Sequence, residues 1–294
     1  MARRRPPSTH GLAVVDKPAG VTSHDVVGML RRKFSERQVG HAGTLDPDAT
    51  GVLLVGVGRA TRLLRFLTDL GKTYTGQVVF GSTTDSLDST GVVTGTFEMV
   101  GLLESTVRDA VRQHLIGAIV QIPPMVSAVK VDGRRLYELA REGVEIERAS
   151  RPVIVHRFEI STTADPLVYD IEVQCSKGTY IRTLADDLGR LCGGGAHLRG
   201  LRRVAVGSFT ATEAASPDDV ELLTLPQAVR DYAQVKVSDD VATMVRNGRA
   251  LTREECGAAG GGPWAVLAPD GDLLAMYEAV GDDRVKPSVV LPSQ

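Results

Sequence analysis

The sequence predicts an α+β protein: a mixed, largely antiparallel sheet flanked by helices, followed by a small β-rich C-terminal domain. Three observations lead there. Helical and strand patterns interleave without the regular strand–helix–strand period of a parallel fold. Residues 151–162 and 167–176 alternate apolar and polar around Asp165-Pro166, the pattern of two paired antiparallel strands. A chain of 294 residues, 43% hydrophobic and 24% charged, can build one large core and a smaller second one.

Residues 1–10 are basic and without apolar pattern, so a disordered start is expected; they lack the apolar stretch of a secretory signal. GLAVVD (11–16) reads as a short buried strand closed by the turn Lys17-Pro18-Ala19-Gly20. Thr22 or Ser23 then caps a helix to about Phe34, with Val26, Val27, Leu30 and Phe34 on one face. VLLVGV (52–57) is apolar, and RATRLLRFLTDLG predicts a basic amphipathic helix ended by Gly71. KTYTGQVVF (72–80) is a strand, and Ser105–Leu115 a capped helix. Pro123-Pro124 breaks the chain before a hairpin-like VSAVKVDG and a charged helix near RRLYELAREG. A helix starts at about Thr179 after the Gly178 turn, and an Arg-rich strand spans 197–210. From Ser216 the composition becomes acidic and proline-bearing, as in a linker, and short strands around Gly-rich turns follow from about 235. The expected domains are therefore 11–228, with an insert at about 124–152, and 229–294.

The net charge of −2 is uninformative, but its distribution is not. Residues 1–65 hold eleven Lys/Arg against five Asp/Glu, and residues 212–294 seven against fourteen. A basic front is compatible with a polyanionic partner and equally with an unevenly charged surface. No apolar run reaches the length of about 18 residues needed to span a membrane. The three cysteines, Cys175, Cys192 and Cys256, are scattered and odd in number, which suggests reduced thiols and a cytoplasmic protein.

The stretch GHAGTLDPDATG (40–51) has almost nothing to bury, and its Gly and Pro residues set a loop that holds side chains in place. Asp46 in such a loop can serve as a nucleophile if it stays ionised. Burial would raise its pKa and a nearby guanidinium would lower it; Arg182, at the start of a helix, is the candidate. Tyr74 and Tyr180 stand beside basic residues, either as a stacking clamp for a planar ligand or as ordinary core aromatics. Asp48 reads as a loop residue, and Asp85-x-x-Asp88 as a loop held by its own side-chain hydrogen bonds. His24, His41 and His197 lack metal-ligand spacing. Gly56-Val57-Gly58 lacks the third glycine and the surroundings of a dinucleotide site.

GHAGTLDPDATGVLLVGVGRATRL resembles the catalytic motif of TruB-type tRNA pseudouridine synthases. VVDKPAGVTSHDVV, KTYTGQVVFGSTTDSLDSTG, CSKGTYIRTLADDLG and GGGAHLRGLRRVAVGSF resemble four further motifs of that family, in the family's order, over most of residues 11–210. The resemblance implies a pseudouridine synthase fold with a PUA-like RNA-binding domain at the C-terminal end. It implies isomerisation of the T-loop uridine, position 55, of tRNA by base flipping, without metal or cofactor. It makes Asp46 the catalytic nucleophile, Tyr74 the ring stacked on the flipped uracil, Tyr180 a second pocket aromatic and Arg182 the partner of Asp46. His41 would fill the space that flipped bases leave, and Lys17 would support the site. A basic face of Arg31, Arg32, Lys33, Arg59, Arg62, Arg65, Arg199, Arg202 and Arg203 would grip the RNA backbone at the T arm and elbow, and the 124–152 insert would be mobile. No protein partner is implied, and a monomer is the default. A non-catalytic RNA-folding protein and a guide-RNA-dependent relative are the competing readings.

Overall fold

The computed structural model describes residues 8–127, 130–131, 134–135, 142, 144 and 146–292. A ten-stranded sheet organises the larger part. Its main path runs β14-β1-β3-β12-β4-β11-β10-β7, with β2 paired to β3 and β13 to β12. The strands are β1 (Gly11–Lys17), β2 (Val39–Ala42), β3 (Thr50–Val57), β4 (Lys72–Phe80), β7 (Gly117–Gln121), β10 (Arg151–Thr162), β11 (Val168–Cys175), β12 (Ala196–Val206), β13 (Phe209–Thr210) and β14 (Leu222–Leu223). All pairs but one are antiparallel. The exception, β3 with β12, is parallel and brings together only Thr50 with Arg202 and Gly51 with Arg203. Two small hairpins stand apart, β5 (Ser82–Thr84) with β6 (Val93–Thr96) and β8 (Lys130–Val131) with β9 (Arg134–Arg135).

Helix α1 (Ser23–Lys33) covers one face through Val26, Val27 and Leu30, which pack on Ala13, Val15, Leu53 and Val55. Thr22 caps it in a reciprocal box with Asp25. The other helices of the sheet are α2 (Leu64–Asp69), α3 (Glu104–His114) and α4 (Ile181–Leu191). Helices α3 and α4 enclose a second core of β-strand and helix residues including Val78, Val107, Ile171 and Leu184. The amphipathic helix expected after Gly58 is divided: residues 58–63 form a tighter 3-10 turn and only 64–69 are α-helical. Helix α3 starts without the expected side-chain cap; its N-cap is Leu103, and Glu104 places a carboxylate in the first turn instead.

The segment expected to be a linker is part of the sheet. Strand β14 pairs with β1 at its edge, Ala215 accepts from the Asp16 amide at 2.8 Å, and α5 (Leu225–Ala228) buries Leu225 and Ala228. The C-terminal unit is a five-stranded sheet in the order β15-β17-β18-β19-β16. Its strands are β15 (Ala233–Lys236), β16 (Leu251–Thr252), β17 (Trp264–Leu267), β18 (Leu273–Val280) and β19 (Arg284–Val290), with α6 (Asp239–Arg246) and α7 (Arg253–Cys256). Trp264, Tyr277 and Val245 anchor its own core. Ala265, Leu273, Met276 and Leu291 belong to a second cluster shared with Leu63, Phe66 and Leu67 of the larger part, so this unit completes its burial on the ten-stranded domain.

Residues 1–7 and, within the 124–152 insert, residues 128–129, 132–133, 136–141, 143 and 145 lie outside the described residues. So does most of the charged helix expected near 134–143, whose first two residues, Arg134 and Arg135, are strand β9 instead. Both ends of the insert are described. Pro123–Ser127 packs against the site discussed below, and Arg151 and Pro152 open β10. Among the described residues no helix is long and apolar enough to cross a membrane.

Candidate active site

Strands β4 and β12, the loop between β2 and β3, and the start of α4 surround a cavity of about 400 Å³. The loop, residues 43–49, is the middle of the GHAGTLDPDATG stretch, whose expected loop ends are instead strand, Gly40–Ala42 in β2 and Thr50–Gly51 in β3. Its exit needs glycine: Gly51 has φ +102°, and a Cβ there would stand 2.2 Å from the Arg203 carbonyl oxygen. Three side chains fix the loop from outside. The Lys17 ammonium, fully buried, donates to the carbonyls of Pro18, Val21 and Pro47 at 2.9, 2.7 and 2.8 Å. The Ser23 hydroxyl donates to the Leu45 carbonyl and accepts from the Leu45 amide. Arg203 donates from Nε to Val52 and from Nη2 to Gly43, clipping the two ends of the loop together. These contacts explain why the segment around Lys17 and the loop 30 residues later work as one unit.

Asp46 stands at the loop's centre, its side chain 42% exposed into the cavity. Arg182, 4% exposed, lies with Nη2 3.1 Å from Asp46 Oδ2. Its other nitrogen, Nη1, is 3.6 Å from Asp88 Oδ2. Two carbonyls complete its hydrogen bonding, Ser86 at 2.8 Å and Val126 at 2.7 Å. One guanidinium thus serves two carboxylates. The Asp46 pKa is raised above the ordinary 3.8, because desolvation outweighs the attraction of Arg182 and the neighbouring Asp88 pushes the same way. This corrects the expectation that Arg182 would hold the pKa of Asp46 down: it opposes the rise without cancelling it.

Tyr74 on β4 and Tyr180 at the N-cap of α4 both line the cavity. Tyr74 is the register partner of Arg203, and desolvation raises its hydroxyl pKa. Tyr180 is locked by Gln121, whose side chain accepts from its amide at 2.9 Å and donates to its carbonyl at 3.2 Å. His41 lies on β2 beside the loop but outside the cavity wall; burial and then Arg203 lower its pKa, and its Nδ1 is buried without a partner. Asp48 is exposed.

The expected basic face is dispersed. Arg203 does not belong to it: the side chain is 1% exposed and braces the loop. Arg202 makes a two-pronged pair with Asp16 at 2.9 and 2.8 Å. Arg59 and Arg62 donate to the carbonyls of Pro292 and Val290, and Arg65 pairs with Glu278, so these three hold the C-terminal unit. Arg31, Arg32 and Lys33 are exposed at the end of α1, and Arg199 is exposed on β12.

Sequence reasoning missed four members of the site. Asp88 was legible only as a self-bonded loop residue, and it is one: its Oδ1 accepts from the amide and hydroxyl of Thr90 and from the Ser86 hydroxyl. Its approach to Arg182, 94 positions away, has no local signal. Lys72, 5% exposed, donates to the Thr68 and Leu70 carbonyls at the end of α2, and burial lowers its pKa to about 8. Lys177 and Arg151 add two exposed cations to the cavity lining. Among the described residues no group of three or more His, Cys, Asp or Glu is placed to hold a metal ion.

Comparison with known proteins agrees with this architecture. The N-terminal domain of TruB family pseudouridylate synthases matches residues 31–181. The tRNA pseudouridylate synthase B C-terminal domain matches 182–235, and the C-terminal domain of tRNA pseudouridine synthase II matches 232–292. The tRNA pseudouridine synthase B of Mycobacterium sp. (strain KMS) is 45% identical, covering 96% of this chain and 96% of its own. That of Arthrobacter sp. (strain FB24) is 41% identical, covering 96% and 97%. In fold, the chain is similar to a solved Cbf5-Nop10-Gar1 complex structure, with a TM-score of 0.73, 23% identity and coverage of 97% of this chain and 87% of that one. The family model over residues 31–181 and the near full-length relatives define a pseudouridine synthase. This chain belongs to the TruB family of tRNA pseudouridine synthases.

Proposed function

We propose that this protein converts the T-loop uridine at position 55 of tRNA to pseudouridine, with Asp46 as nucleophile and without metal or cofactor. The observation that carries the reading is the Asp46 carboxylate, open to a cavity of about 400 Å³ and 3.1 Å from a buried arginine, with two tyrosines in the wall. In the reaction the N1–C1′ bond breaks, the detached uracil turns, a C5–C1′ bond forms, the C5 proton leaves and N1 takes up a proton. Substrate and product are isomers, so no oxidant, reductant or co-substrate is consumed.

The target uridine must leave its stack to enter the cavity, at a cost of a few kcal/mol. A stack on Tyr74 offsets roughly 1–3 kcal/mol of that, Tyr180 supplies a second aromatic wall, and His41 fills the vacated space in the RNA. Lys17 keeps Asp46 in place through Pro47. Arg182 favours the ionised form of Asp46 against the desolvation that raises its pKa. Of the expected basic face, Arg31, Arg32, Lys33 and Arg199 are exposed and are not tied to the C-terminal unit; Arg31, Lys33 and Arg199 would exchange bonds to Val39, Asp218 and Gln77 for phosphates of the T arm and elbow. The β-rich C-terminal unit acts as a PUA-like RNA-binding domain, and the protein works as a cytoplasmic monomer.

The test is tritium release from a tRNA transcript labelled at uridine C5, with chelator present. One equivalent of tritium per tRNA is expected, mapped to position 55. Asp46→Asn is expected to lower the rate by more than about 10⁴-fold while the variant still binds tRNA. Release that survives the substitution, or that maps elsewhere, overturns the reading.

A further inference from the structure

Among the described residues, the cavity wall contains one buried side-chain polar atom without a hydrogen-bond partner. Ser127 is 5% exposed and lines the cavity, and its Oγ is buried with no hydrogen-bond partner. A buried hydroxyl that has lost water and gained nothing is destabilising, and native proteins retain few of them. The backbone groups around it are engaged. The Ser127 amide donates to the Met125 carbonyl at 3.0 Å, and the Val126 carbonyl accepts from Arg182 at 2.7 Å. One step back along the chain, Pro123 accepts from Arg148 at 3.0 Å, and Gln121 is tied to Tyr180 in both directions. The backbone that carries Ser127 is therefore fixed to the two wall residues Tyr180 and Arg182. Of the buried unpaired side-chain atoms nearby, which include Arg148 Nε and Thr183 Oγ1, the Ser127 hydroxyl is the one in the cavity lining.

We infer that Ser127 is a substrate-recognition residue whose hydroxyl is hydrogen-bonded by the nucleotide that enters the cavity. The chemistry is that of a neutral donor–acceptor meeting a polar atom of the nucleotide, either an edge atom of the base or the ribose 2′-hydroxyl. The unpaired state of the free protein makes this hydrogen bond specific to the complex: the free enzyme bears the desolvation of the hydroxyl, and the bound nucleotide relieves it. The inference rests on the uridine reading above, which tritium release by the unmutated protein tests separately.

The experiment measures binding in an Asp46→Asn background, so that turnover does not intervene. A T-arm RNA hairpin is compared with two derivatives, one abasic and one 2′-deoxy at the target position. Adding Ser127→Ala is expected to weaken binding of the unmodified hairpin by about 2- to 12-fold, the value of one net hydrogen bond. That difference is expected to vanish on one derivative only: on the abasic RNA if the base is read, on the 2′-deoxy RNA if the sugar is. Thermal stability of the free protein is expected to stay level or rise, because the substitution removes an unsatisfied group. Equal affinity for the unmodified hairpin overturns the inference, as does a loss that persists on both derivatives. A fall in melting temperature with unchanged affinity also overturns it and assigns Ser127 to packing.

Discussion

The cavity and the arginine-rich turn at residues 58–65 use basic side chains in opposite ways. At the cavity, Lys17, Lys72, Arg182 and Arg203 are nearly or wholly buried, and each donates to two or three backbone carbonyls. At the turn, Arg62 and Arg65 are exposed and Arg59 half-buried, and each makes one contact with the C-terminal unit. A buried cation is expensive unless every donor is met, so its partners are fixed and its removal leaves several groups stranded. An exposed cation is already satisfied by water and costs little to lose. A positive charge in the sequence therefore says nothing by itself about whether it faces RNA, a loop or another domain.

The sharpest way to break the contrast is Arg182→Met. Asp46 and Asp88 would face each other without the guanidinium, and the Ser86 and Val126 carbonyls would lose their donor. The expected loss is about 3–5 kcal/mol of stability, read by urea unfolding. Activity responds in a defined direction. With Asp46 as the proposed nucleophile, it must be ionised to attack; its pKa is raised above 3.8, so kcat/KM is expected to fall as pH drops through that raised value rather than through 3.8. Removing Arg182 deletes the main force opposing the rise, so any residual activity should show its acid limb at still higher pH. An acid limb that stays where the unmutated protein has it would separate Arg182 from the ionisation of Asp46.

Next in size is Lys17→Met. The substitution keeps the buried stem and removes three donors, one of them to the Pro47 carbonyl directly after Asp46. Pro47 retains the Gly20 amide at 3.0 Å, which limits the damage. A cost of about 2–4 kcal/mol is expected, or a melting temperature lower by roughly 3–6 °C for a chain of this size, with a fall in kcat from a loosened loop. A variant with unchanged melting and unchanged kcat would show that the loop's Gly and Pro residues suffice without the clamp.

These buried braces mark the limit of what the sequence discloses. Strand β4 and the β10–β11 pair were legible because their alternation is local, and the Asp46 loop was legible from its Gly and Pro residues, although its stretch buries more than the composition suggests, through Ala42, Leu45 and Ala49. Arg203 was not. It lies on β12 between two register shifts, one between Arg199 and Arg202 and one between Arg203 and Ala205, where period-two alternation fails. The sequence pattern GLRRVAV therefore offers two arginines with equal claim to the surface, and the structure buries one while pairing the other with Asp16. Strand β14 was missed because two residues paired across more than 200 positions leave no periodic trace. The Asp88–Arg182 approach was missed for the same reason, since it is a tertiary contact between two segments that each look self-contained.

The smallest effect is the one that best separates two roles for the turn. If Arg59 and Arg62 gripped RNA phosphates, replacing both by Ala would reduce the slope of log affinity against log salt by about two, one for each phosphate contact. Their geometry points inward, to the carbonyls of Pro292 and Val290 at the end of the last strand. On that geometry the double variant leaves the salt slope of tRNA binding unchanged. It costs about 1 kcal/mol or less of stability, because the shared apolar cluster of Leu63, Phe66, Met276 and Leu291 stays intact and carries the docking of the C-terminal unit. Hydrogen exchange would then quicken at β19 and leave β4 and β12 as they were. A flattened salt slope with undisturbed exchange at β19 would return both arginines to the RNA face and leave the apolar cluster as the sole tie between the two parts.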